Sequence, residues 1–198
     1  MMKKLILSMI VFAIMISVSA QENVKQKEVG FAFSNLDNFA LTYKFGDQKS
    51  MWRIMALHGN ISSNVNKNDD EKSINNKAAF GFALGKQFQK PINENFRLIY
   101  GADLNFGVSN YKTEDVNENV NKTIEYSPGI NAVFGFNYDI NEYLVFGLEL
   151  LPGVNYTFGK QSYEFNNPEM TDYDVHTSRF NFNVSTSSAF LTLAYKIK

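Results

Sequence analysis

The clearest structural signal lies in residues 124–158, which read IEYSPGINAVFGFNYDI at 124–140 and LVFGLELLPGVNYTF at 144–158. Aromatic and aliphatic side chains recur at every second position, and small or polar residues occupy most of the positions between them. Successive side chains leave a β-strand on opposite faces, so this period predicts two strands. The short turn at Asn141 and Glu142 joins them into a hairpin with one apolar and one polar face.

The length and glycine content of these strands predict which face meets lipid. The alternation outlasts the soluble average of about 5–6 residues and reaches the roughly 9–11 residues that cross a bilayer at a tilt. The polar face carries Gly129, Gly135, Gly147 and Gly153, whereas a water-facing sheet normally carries Lys, Glu or Thr. Glycine suits the crowded interior of a small barrel. We therefore expect the apolar face to point into lipid; a soluble lipocalin-like binder would turn it inward.

Similar patterns elsewhere predict an all-β chain, an eight-stranded antiparallel up-and-down transmembrane β-barrel. The other expected strands are 28–34, 39–45, 51–62, 79–88, 96–108 and 178–198. We expect short turns at 46–50, 89–95 and 141–142, and long polar loops at 64–77, 111–123 and 159–177. The last strand changes phase, which either a bulge within Ser185–Ser188 or a strand break would accommodate. An even strand number allows closure, which lipid requires because an unpaired sheet edge cannot be hydrated there.

Residues 1–20 have the features of a signal peptide. Lys3 and Lys4 form a basic start, an apolar run follows from Leu5 to Ile16, and small residues at 18–20 form a cleavage site. The alternative is a single-span anchor. We expect the barrel domain to occupy residues 21–198. The chain has no cysteine, which excludes disulfides and thiolate chemistry, and its net charge of −1 offers no footprint for nucleic acid.

The chain resembles the small eight-stranded outer-membrane β-barrels of the OmpA/OmpX type, especially the β-barrel proteins common in Bacteroidetes. The resemblance covers essentially all of residues 21–198. It implies a Gram-negative outer-membrane location with both termini periplasmic, contact with outer-membrane lipid, and insertion by the assembly machinery. The chain ends in Ile197-Lys198, where the family typically has an aromatic end, and it lacks the peptidoglycan-binding domain of OmpA itself. The motifs that carry the resemblance are Lys90-Pro91-Ile92, Tyr126-Ser127-Pro128-Gly129-Ile130 and Leu191-Thr192-Leu193-Ala194-Tyr195-Lys196-Ile197.

Charged side chains fall on the small-residue face of several strands. An isolated ion is costly away from water, so opposed charges in a narrow lumen must pair or stay hydrated. An eight-stranded barrel is just wide enough to be filled by its own side chains. We therefore expect an ionic plug, with a gated pore as the alternative. The predicted interior polar cluster is Lys44, Arg53, Arg97, Asp103, Glu125 and Glu149.

Aromatic residues near the turns fit an interfacial girdle, because amphipathic rings favour the depth of the lipid headgroups. The simpler interpretation is lipid-facing bulk. These residues are Trp52, Phe88, Phe96, Tyr138 and Tyr195.

Catalytic and metal sites find little support. Some similar barrels deacylate lipid A with a His-x-Ser pair, and His176-Thr177-Ser178 has that form. However, Arg179 follows where that family has Asn, and His58 is the only other histidine. Acidic and amide runs such as 64–71 could bind Ca²⁺ through oxygen ligands, but they lack EF-hand spacing. We expect no catalytic residue, cofactor or metal.

The resulting expectation is a monomeric structural or surface-interaction protein, acting in envelope integrity, adhesion or partner binding through long outer loops. An extracellular ligand or surface partner would complete that role. The alternatives are a narrow porin for small solutes, a lipid-modifying enzyme, or a soluble lipocalin-like binder.

Overall fold

The computed structural model describes residues 25–35, 38–57, 61–68, 71–183 and 188–197. Within them the chain forms eleven β-strands. The strands are β1 (Gln26–Asn35), β2 (Asn38–Gly46), β3 (Ser50–Leu57), β4 (Ile61–Asn68), β5 (Glu71–Pro91), β6 (Phe96–Glu114), β7 (Val120–Asp139), β8 (Leu144–Leu150), β9 (Gly153–Glu164), β10 (Tyr173–Asn183) and β11 (Ala189–Ile197).

Eight of these strands close into an antiparallel barrel. Neighbours pair in the order β7-β6-β5-β3-β2-β1-β11-β8, and a further pairing of β8 with β7 completes the ring. Every pairing in the ring is antiparallel. The predicted fold class is therefore confirmed. Closure leaves this part of the sheet without an edge, as lipid requires.

The register shows how far the strands are staggered. Leu193 of β11 pairs with Phe146 of β8, which pairs with Tyr138 of β7. In the other direction, the partners of Leu193 run through β1, β2, β3, β5 and β6 and reach β7 at Pro128, ten residues before Tyr138. A closed barrel needs such a stagger, which accompanies a strand tilt of roughly 35–45°.

The apolar side chains of the ring face outward. On β7, Ile130 and Phe134 are 53% and 52% exposed, whereas Val133 between them is 0% exposed. Leu104 and Phe106 of β6 and Phe146 and Leu150 of β8 are exposed in the same way. The predicted facing is confirmed, because these side chains do not pack together in a common core.

Three hairpins extend beyond the ring on one side. β5, β6 and β7 are 21, 19 and 20 residues long, and their outer halves pair with β4 and β9, while β10 pairs with β9. The result is a sheet in the order β10-β9-β7-β6-β5-β4, which we call the wall. The opposite end of the barrel holds the turns at 46–50, 91–96 and 139–144, and we call it the short-turn end.

The prediction of long polar loops at 64–77, 111–123 and 159–177 is wrong. Most of these residues lie in strands of the wall, and β6 connects to β7 through only Asp115–Asn119. The wall carries polar side chains on both faces, so the contrast between faces that signals a strand is lost. The backbone ladder of hydrogen bonds still forms, because it depends little on side-chain polarity.

Several predicted features lie at the limits of the described residues. The predicted third strand ends at Leu57 instead of Ser62, and a separate strand starts at Ile61. The signal peptide, His58 and most of the proposed bulge at 185–188 lie outside the described residues. On either side of that segment, Phe182 and Leu191 are both exposed, as either explanation of the phase change requires. No helix among the described residues is long and apolar enough to cross a membrane.

Candidate functional site

Four buried charged side chains form an ion-pair network inside the ring, which we call the charged quartet: Lys44, Arg53, Asp103 and Glu149. Lys44 Nζ donates a hydrogen bond to Glu149 Oε1 at 2.6 Å. Arg53 lies with Nη2 2.8 Å from Glu149 Oε2 and Nε 3.4 Å from Asp103 Oδ2. All four are at most 3% exposed. Two positive and two negative groups cancel, which is how buried charges become tolerable.

The strand register brings the charged quartet together. Lys44 of β2 pairs with Arg53 of β3, Arg53 pairs with Gly85 of β5, and Gly85 pairs with Asp103 of β6. A Cβ on Gly85 would lie 2.0 Å from Asp103 Oδ1. Gly85 therefore gives the carboxylate the space it needs to reach across a strand to Arg53.

A second charged group lies nearer the short-turn end, centred on Arg97. Arg97 forms an ion pair with Asp139 and donates a hydrogen bond to Gln89 Oε1 at 2.6 Å. Lys196 Nζ lies 2.9 Å from Asp139, and Glu28 lies 4.0 Å from Arg97. Sequence reasoning missed Glu28, Asp139 and Lys196 as interior groups. Their positions in the sequence could have indicated this, because each lies next to an apolar residue that was predicted to face outward.

The sixth predicted interior residue, Glu125, lies in neither group. Its carboxylate accepts two hydrogen bonds from the Arg179 guanidinium, at 2.8 and 2.9 Å. Both residues belong to the wall, because Glu125 pairs with Gly159 of β9 and Arg179 belongs to β10. The structure thus divides the six predicted residues among three groups.

An apolar layer crosses the lumen, and we call it the septum. It consists of small or aliphatic residues packed against one another with Phe190 beside them. The alternation places Ala40, Ala83, Val133 and Leu151 on the inner face, but it does not predict that they pack together, because contacts across the lumen depend on closure and register. The septum comprises Ala32, Ala40, Met55, Ala83, Val133, Leu151 and Phe190.

Beyond the septum the inward face becomes rich in amides and hydroxyls. Asn105 Nδ2 donates to Asn131 Oδ1 at 2.9 Å, and Asn181 Nδ2 donates to Thr157 Oγ1 at 3.2 Å. We call this set the amide cup: Asn105, Ser127, Asn131, Asn155, Thr157 and Asn181.

The layers follow the same order on neighbouring strands. From the short-turn end, the chain carries Glu149 of the charged quartet on β8, then Leu151 of the septum in the connection to β9, then Asn155 of the amide cup on β9. β7 carries Val133 and then Asn131. The septum therefore lies between the charged quartet and the amide cup on this part of the ring. On β6 the two sets adjoin, because Asp103 precedes Asn105 on the same face and pairs with Asn131 of β7.

The predicted interfacial aromatics lie toward the short-turn end. Phe88 stacks on Tyr100 at 5.5 Å between ring centroids, and Phe96 stacks on Phe136 at 5.2 Å. Lys86 Nζ lies 5.5 Å from the Trp52 ring centroid. The other two members, Tyr138 and Tyr195, are 45% and 48% exposed and stand on the outward face.

The residues considered for hydrolysis lie on β10. His176 and Ser178 share one face of β10, but no hydrogen bond joins them in the described part of the chain. Asp174 lies on the same face, with Lys160 Nζ 2.8 Å from Oδ2, and this contact lowers the pKa of Asp174. No group of three or more His, Asp or Glu side chains suited to a metal ion occurs among the described residues.

A closed ring that is apolar outside and polar at many inner positions is the architecture of a transmembrane β-barrel. No protein-family model matches the chain, and neither does any curated protein. Two solved structures are similar. Ail, the attachment invasion locus protein of Yersinia pestis, aligns over 89% of this chain and 100% of its own, at 10% identity and a TM-score of 0.39. CarO of Acinetobacter baumannii aligns over 87% and 97%, at 11% identity and a TM-score of 0.31. The architecture rests on the strand pairings of this chain.

Proposed function

We propose that this protein is a Gram-negative outer-membrane β-barrel of the OmpA/OmpX type that acts through surface contact, without steady conduction. The observation that carries the proposal is the contrast between the two ends of the molecule. The lumen is crossed by the charged quartet and by the septum, whereas the wall extends a broad sheet beyond the ring. Short turns at one end and long extensions at the other are typical of outer-membrane barrels.

The wall is suited to contact because the tips of its β6–β7 and β9–β10 hairpins are tied together. Asn166 N donates to Asn119 Oδ1 at 3.1 Å, and Asn166 Nδ2 donates to Glu118 Oε2 at 3.2 Å. Lys122 Nζ lies 2.6 Å from Glu164 Oε1 across β7 and β9. An ordered surface loses less conformational entropy on binding than a loose loop. This favours adhesion or partner binding over a purely mechanical role.

The positions of the two ends of the described chain indicate how the barrel is oriented. Lys27 pairs with Ile197, so the two ends of the described chain meet at the short-turn end. We propose that this end faces the periplasm, that outer-membrane lipid surrounds the ring, and that the assembly machinery inserts it as a monomer. A peptide tag placed after Lys198 should resist protease added to intact cells and become sensitive after the outer membrane is opened. Cleavage in intact cells would mean that the short-turn end faces the outside of the cell.

Membrane fractionation and planar-bilayer recording test the function. We expect the protein in outer-membrane fractions, with heat-modifiable mobility on gels and little steady conductance after reconstitution. Extraction into buffer without detergent would contradict the proposed location in the outer membrane. Robust, steady channels would contradict the non-conducting role while leaving the location intact.

A narrow porin is the second candidate, and one observation favours it. Gln87 is 0% exposed, and neither of its amide atoms has a hydrogen-bond partner in the described part of the chain. Buried polar groups are usually paired with protein or water. Water in the lumen beside the charged quartet would supply the hydrogen bonds that the Gln87 amide lacks. Channels that disappear in Glu149→Ala would support this candidate over the first.

We propose no enzymatic role for His176 and Ser178. Nucleophilic catalysis needs a hydroxyl within hydrogen-bond reach of its base, and no such bond joins the two residues in the described part of the chain. Lipid A mass spectra should therefore be identical in cells that carry wild type and Ser178→Ala. A deacylated species seen only with wild type would contradict this.

A further inference from the structure

We propose that the amide cup binds a neutral oligosaccharide. The inference deepens the proposed function, on which it rests, by naming the chemistry of the surface partner. The first observation is that apolar side chains of the septum border the cup on one side. Val133 is 0% exposed and is the next inward residue after Asn131 on β7, and Leu151, 7% exposed, lies in the connection just before β9. A molecule that enters from the side of the wall therefore meets these apolar side chains below the cup.

The cup itself carries no charge. Its six side chains are amides and hydroxyls, and each amide or hydroxyl group can both donate and accept hydrogen bonds. A sugar hydroxyl likewise donates and accepts, so neighbouring sugar hydroxyls match a surface of this kind. The charged groups beside the cup already have partners. Glu125 accepts two hydrogen bonds from Arg179, and Asp103, which pairs with Asn131 across β6 and β7, lies 3.4 Å from Arg53 Nε.

One acceptor in the cup has no partner. Asn155 Oδ1 is buried and makes no hydrogen bond with any described residue. Leaving a buried polar group unpaired is costly, and a ligand hydroxyl would remove that cost once the Asn155 amide turns toward the cup. Gly129, on the neighbouring strand, gives the Asn155 amide the room it occupies, since a Cβ there would lie 2.1 Å from Asn155 Oδ1.

The neighbouring inward face of the wall supplies aromatic surface. Tyr111 shares the inward parity of Asn105 on β6, and Lys77 Nζ lies 5.3 Å from its ring centroid. Tyr163 shares the inward parity of Asn155 on β9 and stacks on Tyr173 at 4.7 Å. Tyrosine combines an apolar ring with a polar tip, and the C–H face of a pyranose packs against such a ring. The arrangement fits a chain of several sugar units that lies from the cup along the wall.

An array of immobilised glycans tests whether the protein binds neutral oligosaccharides. The folded barrel in detergent, checked by heat-modifiable mobility, is applied to neutral hexose and N-acetylhexosamine oligosaccharides and to their sialylated and sulfated counterparts. A separate arm uses the oligosaccharide released from lipopolysaccharide of the producing cells, which distinguishes a sugar of the same membrane from one on another surface. Neutral binders in either arm support the proposal. Binding to none, or only to the anionic glycans, overturns it.

Calorimetric titration of the best neutral binder then tests the cup itself. We expect Asn155→Leu and Asn181→Leu each to weaken binding about tenfold, the equivalent of about 1.4 kcal/mol. Asn181 lies on the wall, so its variant keeps the test valid if Asn155→Leu fails to fold. Ser178→Leu is the matched control, on the opposite face of β10, and should bind as wild type. Unchanged binding by folded Asn181→Leu overturns the site. Loss of sugar binding with normal membrane insertion leaves the proposed function standing.

Discussion

Glu149 is the residue on which the buried charges of the ring converge. Its two carboxylate oxygens lie 2.6 Å from Lys44 Nζ and 2.8 Å from Arg53 Nη2. It has no exposed surface, so its partners cannot turn to water when it is lost. Lys44 and Arg53 would then share Asp103 as the remaining acid of the quartet.

Glu149→Ala should therefore destabilise the folded barrel by about 3–5 kcal/mol, the usual cost of leaving a buried charge without its partner. Urea unfolding in lipid vesicles, followed by the loss of heat-modifiable mobility, measures the change. Glu94→Ala is the control, because Glu94 lies exposed in the turn between β5 and β6 and should alter stability by no more than about 0.5 kcal/mol. Equal effects of the two variants would contradict a stabilising role for the network.

Asp115 lies in the turn between β6 and β7. Its carboxylate accepts hydrogen bonds from Asn119 Nδ2 and from the backbone of Asn117 and Asn119. The Asn119 amide holds the pKa of Asp115 below its usual range. Because the folded-state pKa is depressed, the stabilisation is present above the unfolded pKa and is lost as the pH falls through the folded value. NMR titration of the side-chain carboxyl should show this depressed pKa, and Asn119→Ala should return it toward the ordinary value. A normal pKa in wild type would contradict the turn geometry.

At the scale of elements, the wall is ordered by contacts between hairpins as well as within them. The tip of the β6–β7 hairpin and the tip of the β9–β10 hairpin meet at Asn119 and Asn166. Stacking of Tyr163 on Tyr173 at 4.7 Å ties β9 to β10 just below. These contacts couple the two hairpins into one surface.

Asn119→Ala should loosen the neighbouring tip, because it removes the acceptor of the Asn166 backbone amide. We expect amide hydrogen exchange in residues 165–172 to become several-fold faster, as the loss of one hydrogen bond of about 0.5–1.5 kcal/mol implies. Asn117→Ala lies in the same turn and leaves that acceptor in place, so exchange in residues 165–172 should stay as in wild type. If both variants behave alike, the tips are independent.

At the scale of the whole molecule, the lumen is closed by layers of different chemistry. The septum is apolar, and a hydrophobic constriction resists the passage of ions because water leaves it. The charged quartet lies beneath it and is neutral by internal pairing. We therefore expect the barrel to block ions at both layers.

Opening the septum tests this layering. The double variant Leu151→Ala with Phe190→Ala should produce measurable channels in planar bilayers from a nearly silent wild type, because it removes two large apolar side chains from the lumen. Leu150→Ala, on the outward face beside Leu151, serves as the control and should remain silent. Silence of the double variant would mean that the charged quartet alone seals the barrel.

Particular residues show how much of the fold the sequence predicts. Alternation between Ile124 and Phe158 was sufficient to predict strands, their facing and the barrel, because the period is local and lipid leaves a strong contrast between faces. The wall was predicted as loops, because water on both of its faces removes that contrast. Val133 and Leu151 were predicted on the inner face, but the septum was missed because alternation does not specify which inward residues meet across the lumen.

Alternation alone specifies a transmembrane β-barrel with its aromatic face outward and charged groups within. Which of those groups meet depends on how the strands pair around the ring. Lys44 and Glu149 lie 105 residues apart in the chain, and the stagger of ten residues around the ring sets their levels in the lumen. Alternation specifies the side of a strand on which a residue lies, but closure and register set its height and its partners.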